Sequence, residues 1–152
     1  MSSTVAIALG SNLGDRAYTL RRAVDDLRRI VHIVRVSSFI ETEAVDAPPG
    51  SPAFLNAVAI GYTSLAPLEL LEAMQSIEAK LGRRRTRIRN APRTIDLDLL
   101  FHSANRAHTP RLTLPHPRYR QREFVMKPLR EVWLGARASS PAGRTASRRP
   151  LG

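Results

Sequence analysis

The spacing of apolar and polar residues changes period several times along the 152 residues, and each change marks an element. "TVAIAL" (4 to 9) is an unbroken apolar run of strand length closed by Gly10. Leu20, Ala23, Val24, Leu27 and Val31 then recur at three- and four-residue spacing. This is the stripe of an amphipathic helix of about four turns, with Arg21, Arg22, Asp25 and Arg28 on its polar side. Past Val31 the stripe fades and β-branched residues accumulate, so "HIVRVSSFI" (32 to 40) predicts a second strand. The prolines and glycine of "EAVDAPPGSP" (43 to 52) exclude regular structure, and "FLNAVAIGY" (54 to 62) predicts a third strand. Pro67 suits a helix first turn. Leu70, Met74, Ile77 and Leu81 form its stripe, and Gly82 stands where a C-terminal cap belongs.

A last strand carries an anomaly. In "PRTIDLDLLFH" (92 to 102), Ile95, Leu97, Leu99 and Phe101 alternate with Asp96, Asp98 and Leu100, so the period of two puts both acids on one face. Their Cα atoms are then about 6 to 7 Å apart at strand rise, and each carboxylate resists ionising beside the other unless a cation or donor cluster compensates. The order β, α, β, β, α, β predicts an α+β fold, a ferredoxin-like sandwich in which helices cover one face of an antiparallel sheet. Ligands would then use the other face and the loops. The segment "LTLPHPRYRQREFVMKPLREVW" (112 to 133) reads as a ligand-facing stretch with a short terminal helix.

Charge adds to this picture. The net charge is +11, but Arg137, Arg144, Arg148 and Arg149 lie in an acid-free tail (137 to 152) that reads as disordered. One domain is expected over 1 to 136. Much of its positive excess sits in "GRRRTRIRNAPR", where Arg83, Arg84, Arg85, Arg87, Arg89 and Arg93 precede the acidic strand. Cysteine is absent, which excludes disulfides, thiolate metal sites and a cysteine nucleophile. The start "MSSTVAIALGSN" lacks a basic n-region, and no apolar stretch has the length of a membrane span. The expectation is a cytoplasmic soluble protein.

Paired carboxylates beside an arginine cluster suit a nucleotide triphosphate with magnesium, which takes one or two carboxylates plus phosphate oxygens and water. Arginines add bidentate bonds to phosphate. An Asp-x-Asp strand is also the pattern of a solvated face, and an arginine run that of a solvated loop. "GSNLGD" (10 to 15) matches neither a P-loop nor a dinucleotide fingerprint. Gly10 and Gly14 instead suit a turn into the first helix, with Asn12 or Asp15 as its cap. The alternative of another class is an RNA-binding module, since many such domains are basic ferredoxin-like sheets. It predicts stacking aromatics where this chain has Asp96 and Asp98.

"ALGSNLGDR", "FLNAVA", "PRTIDLDLL" and "LPHPRYRQREFV", in this order, resemble the 6-hydroxymethyl-7,8-dihydropterin pyrophosphokinase family over roughly residues 4 to 135. The resemblance implies an ATP-dependent transferase of folate biosynthesis, a kinase that moves pyrophosphate from ATP to the pterin hydroxymethyl oxygen and releases AMP. It implies that Asp96 and Asp98 hold two Mg2+ ions, with Arg83 and Arg93 beside them as catalytic groups. The ATP site would comprise Gln75, Glu78, Arg85, Leu99, Arg111, Thr113, His116 and Arg122. The pterin site would comprise Thr42, Val45, Phe54, Asn56 and Phe124. The implied partners are these small molecules alone, with no nucleic acid or membrane, and a monomer is expected. Asn90 stands where many relatives have tryptophan, Ala91 where glycine is common and Pro117 where some have tyrosine. Glu43 and Ala44 replace a pair of prolines found in some members.

Overall fold

The structure, a computed structural model, describes residues 2–44, 47–83, 93–103, 107–108, 113–114 and 122–138. Strand β1 (Ser3–Ser11) is central because its residues are apolar toward both faces. It pairs antiparallel with β4 (Phe54–Thr63) from Ser3↔Thr63 to Ser11↔Leu55, and on its other side with β5 (Asp96–His102). The sheet order is β2-β4-β1-β5, where β2 is His32–Val36; β3 (Ile40–Thr42) extends the sheet along β4. All pairings are antiparallel, and the fold is an open five-stranded sheet with helices, an α+β architecture. A separate ribbon pairs β6 (Ala107–His108) with β7 (Thr113–Leu114), which the residue pattern did not predict.

The stretch expected as one second strand is two. Ser37 interrupts it: its N–H donates to Val58 O (2.9 Å), while its Oγ accepts from Val58 N (2.9 Å) in place of a backbone carbonyl. The hydroxyl keeps the β4 ladder satisfied where the chain leaves β2 for β3.

Helix α1 (Arg16–Leu27) is capped by Asp15, whose carboxylate accepts from Tyr18 N at 3.1 Å, so Asn12 is free for another task. The helix ends at Leu27, one turn before the apolar stripe does; Val31 stays buried beyond it. Helix α2 (Pro67–Lys80) begins with Pro67 in its first turn, and Glu69 accepts from Ala66 N at 2.8 Å. Gly82 follows its end at φ 94°, the left-handed conformation that closes a helix without a Cβ clash. Both helices pack on the sheet face formed by Val5, Ile7, Leu9, Ala57, Ala59, Leu97 and Leu99.

The third helix corrects the expectation that helices cover one face only. Helix α3 (Glu123–Ala138) packs Val125, Leu129 and Val132 against Ala6, Val58, Ile60 and Leu100, on the face opposite α1 and α2. Glu131 anchors it, its carboxylate accepting from Ser38 N (3.1 Å) and Ser38 Oγ (2.9 Å). Those three apolar side chains recur at four- and three-residue spacing, and the terminal helix expected to be short runs to 16 residues. Here Pro128 lies inside the helix and removes the amide that would bond the carbonyl of Phe124. The helix also runs past residue 136, where the domain boundary was expected; the tail beyond 138 lies outside the described residues.

Alternation along β5 breaks at one point. Register with β1 runs Leu97↔Leu9, Asp98↔Ala8 and Leu99↔Ile7, then skips Leu100 and resumes at Phe101↔Ala6. This bulge turns both Leu100 and Phe101 toward α3, whereas strict alternation put Phe101 with Leu97 and Leu99.

Candidate active site

Upstream of the bulge the alternation holds, and Asp96 and Asp98 share the α3 face opposite Gly10 and Ala8. Asp96 lies between two guanidinium groups. Arg83 Nη1 donates to its Oδ1 at 2.9 Å and Arg93 Nη1 to its Oδ2 at 3.3 Å. Arg83 Nη1 also donates to Glu78 Oε2 at 2.7 Å. That same Glu78 oxygen accepts from Leu97 N at 2.8 Å, so one α2 carboxylate holds both the edge-strand backbone and the arginine that grips Asp96.

The charges are unevenly compensated. Burial, and next the charge of Asp96, push the Asp98 carboxyl up to about 7, against the pull of Arg122 and Arg83. Burial raises Glu78 too, although Leu97 N–H and Arg83 oppose it. Arg83 is shifted upward despite its own desolvation, by the charges of Asp96 and Glu78. Asp96 takes the arginines and Asp98 is left as an acid that resists ionising.

Asn12 joins the two long connections at their ends. Its Oδ1 accepts from Arg93 N (2.8 Å), its N–H donates to Arg93 O (3.2 Å), and its Nδ2 donates to Pro52 O (3.1 Å). It is 1% exposed. Nearby, Arg16 at the start of α1 donates to Ala53 O at 2.9 Å and pairs with Glu41 at 2.6 Å. Neither residue was singled out for the site from the sequence. The available signal was an amide directly after an apolar strand, which must find partners when buried.

The second half of the site lies one strand away. Asn56, 5% exposed, donates from Nδ2 to Thr42 Oγ1 at 2.7 Å, and Thr42 is the register partner of Phe54. Among the described residues Asn56 Oδ1 accepts no hydrogen bond. The Arg93 guanidinium carbon is 6.0 Å from the centre of the Phe54 ring, and that of Arg122 is 5.7 Å from Phe124.

The structure thus brings together Arg83, Arg93, Asp96, Asp98 and Glu78 in one cluster, and Thr42, Phe54 and Asn56 in another. Gln75 is half-buried on α2, three residues before Glu78. The Leu99 side chain, 3% exposed, belongs to the core under α1 and α2, on the face away from Asp98, because it pairs with Ile7. Its backbone, on an edge strand, is the part that could meet a ligand. Thr113 lies in β7. Val45, Arg85, Arg111 and His116 lie outside the described residues.

A carboxylate pair flanked by arginines, with Asn56 and Phe54 near Gly10 on the neighbouring strand, is an arrangement that can bind a polyanion on an α+β scaffold. Comparison with known proteins makes this specific. Residues 6–134 match the model of the 7,8-dihydro-6-hydroxymethylpterin-pyrophosphokinase family, and the chain belongs to that family. It is 45% identical to a 2-amino-4-hydroxy-6-hydroxymethyldihydropteridine pyrophosphokinase of Bacillus subtilis, covering 87% of this chain and 79% of the relative. The corresponding protein of Pseudomonas aeruginosa is 39% identical, with 87% and 82% covered. A mitochondrial folate synthesis bifunctional protein of Pisum sativum is 43% identical over 84% of this chain, which spans 25% of that longer protein.

Proposed function

We propose that Asp96, Asp98, Arg83 and Arg93 carry the family's transfer on a ferredoxin-like scaffold, with Thr42, Val45, Phe54, Asn56 and Phe124 as the pterin pocket. The chain is an ATP-dependent pyrophosphokinase that transfers pyrophosphate from ATP to 6-hydroxymethyl-7,8-dihydropterin in folate synthesis. The scaffold assignment is supported by the order β5-β1-β4-β2, with α1 following β1 and α2 following β4. The residue assignment rests on one observation above the others: Asp96 engaged by both Arg83 and Arg93, with Asp98 beside it on the same strand face.

The donor set fits magnesium. Asp96 and Asp98 are hard oxygen ligands, and the resistance of Asp98 to ionising, caused first by burial and next by the charge of Asp96, is what a divalent cation would relieve. Two Mg2+ ions held by Asp96 and Asp98 would neutralise charge on the phosphates. The protein's own groups bind and orient. Arg83 and Arg93 turn guanidinium donors toward the phosphates, with Arg85, Arg111, Thr113, His116, Arg122, Gln75 and the Leu99 backbone around the rest of ATP. Asn56 reads the polar edge of the pterin while Phe54 and Phe124 stack on its faces. The hydroxymethyl oxygen then attacks the β-phosphorus in line and releases its proton; the new O–P bond forms as the bridge to the α-phosphorus breaks, and AMP leaves.

We read the chain as a cytoplasmic monomer whose partners are these small molecules. Among the described residues no helix is long and apolar enough to cross a membrane. Asp96 and Asp98 on the ligand face oppose the RNA-binding alternative, because they repel a phosphate backbone. The test is the product of ATP, magnesium and the hydroxymethyl dihydropterin incubated with the protein. AMP is expected in step with pterin pyrophosphate; ADP as sole product would replace this assignment with ordinary kinase chemistry.

A further inference from the structure

Arg16, at the start of α1, spends its two terminal nitrogens on two different strands. Nη1 donates to Ala53 O at 2.9 Å, directly before β4, and Nη2 pairs with Glu41 Oε2 at 2.6 Å, in β3. Between these points the chain leaves Thr42 and returns at Phe54, and Thr42↔Phe54 is the last register pair before the connection opens. β3 is three residues long and, among the described residues, takes its ladder from β4 alone. Arg16 adds a clasp at the open end of that short ladder.

The clasp works from the far side of the sheet. Glu41 is the register partner of Leu55, which packs on the core under α1 and α2, so the period of two puts Thr42 and Phe54 on the opposite face, with Asn56 and Gly10. Arg16 reaches Thr42 and Phe54 through their chain neighbours, Glu41 and Ala53. The returning limb is already ordered up to that point. Ser51 N and Oγ both donate to Pro48 O (3.1 and 2.6 Å) in a turn with Gly50 at φ 80°, and Asn12 Nδ2 holds Pro52 O at 3.1 Å. Arg16 takes the next carbonyl and carries this order across to β3. Stability does not explain the arrangement: the Glu41 side chain is 59% exposed and that of Arg16 30%, and ion pairs so open to water contribute little to folding. A guanidinium suits it, because two acceptors on separate strands need two donors held in one plane.

We propose that Arg16 is a positioning residue for the acceptor half of the site: by tying Glu41 to Ala53 it fixes the spacing of Thr42 and Phe54 at the stems of the connection between β3 and β4. The inference rests on the assignment of Thr42 and Phe54 to the pterin. Loss of the clasp lets β3 part from β4 at the open end and draws Thr42 Oγ1 away from Asn56 Nδ2, while Arg83, Arg93 and Asp96 keep their contacts with one another.

The test compares Arg16→Met with the parent in the full chain, with KM for the hydroxymethyl dihydropterin and for magnesium ATP measured separately by AMP release. The pterin KM is expected to rise fivefold or more and the ATP KM to change less than twofold, with the melting temperature lowered by less than about 3 °C. An unchanged pterin KM, equal losses for both substrates or a larger drop in melting temperature overturns the proposal. Arg16→Lys keeps the charge but not the fork, and its pterin KM is expected to stay raised; a return to the parent value means that charge suffices and overturns the clasp. Glu41→Ala cuts one arm at an exposed side chain. It should raise the pterin KM threefold or more by itself and less than twofold further when added to Arg16→Met; losses that multiply independently overturn the proposal. A parent that releases AMP without consuming the pterin removes the pterin assignment and this inference together, whereas an active parent with an unchanged Arg16→Met variant overturns this inference alone.

Discussion

Arg93 lies with its guanidinium carbon 6.0 Å from the centre of the Phe54 ring, while its Nη1 donates to Asp96. One side chain thus spans the aromatic and the acidic halves of the site, and its own backbone is held at both N–H and C=O by Asn12. Lysine can supply the charge but not a planar fork that covers a ring and points at a carboxylate together. Arg93→Lys is expected to raise the KM for both substrates, by tenfold or more for ATP. A change confined to one substrate, seen in separate titrations, would contradict the bridging role.

Asn12→Ala removes two side-chain hydrogen bonds from a buried position and leaves the backbone bond from residue 12 N–H to Arg93 O. Each contributes about 1 kcal/mol, and Arg93 N–H and Pro52 O lose their partners. A stability loss of about 2 to 4 kcal/mol is expected in urea denaturation, with kcat lowered because the segments ending at Pro52 and beginning at Arg93 are no longer tied together. Stability within 0.5 kcal/mol of the parent would show that the knot carries no weight.

Glu78→Gln separates geometry from charge. The amide oxygen still accepts from Leu97 N, but the charge that offsets Arg83 is gone. The expected result is a folded protein whose KM for ATP rises several-fold with little change in pterin affinity. Glu78→Ala should cost about 2 kcal/mol more in stability, since the Leu97 amide is then unpaired.

Asp98 predicts a pH dependence for the metal-free protein. The folded state holds its proton up to about pH 7, whereas the unfolded chain releases it near 3.8. The folded form therefore binds more protons across that interval, so this contribution to stability is complete below pH 4 and is lost as pH rises through 7. Asn mimics the neutral acid. Without metal, Asp98→Asn should melt like the parent at pH 4 and be more stable at pH 8, by up to about 4 kcal/mol at about 1.4 kcal/mol per unit. Added magnesium should raise the melting temperature of the parent at pH 8 and leave the variant unmoved. Identical melting curves at pH 8 without metal would refute the cost of ionising Asp98 in its buried place beside Asp96.

Asp96→Asn and Asp98→Asn should each reduce kcat by at least a hundredfold under saturating magnesium, measured as AMP release. A double variant as fast as the parent would remove both acids from the chemistry.

The chain's local pattern determined which segments became strands and helices, and that Asp96 and Asp98 share a face, because these follow from backbone sterics and a fixed side-chain period within one element. The cap at Asp15 and the Pro67 start are equally local. Tertiary structure alone decided that Gly10 aligns with Asn56 and Asp96, that Asn12 ties Pro52 to Arg93, and that α3 covers the second face. It also decided the bulge that turned Phe101 and the core burial of Leu99 beneath two helices. Strand register and contacts between residues 40 or 80 positions apart arise from packing the whole domain, and no short window of residues contains that information.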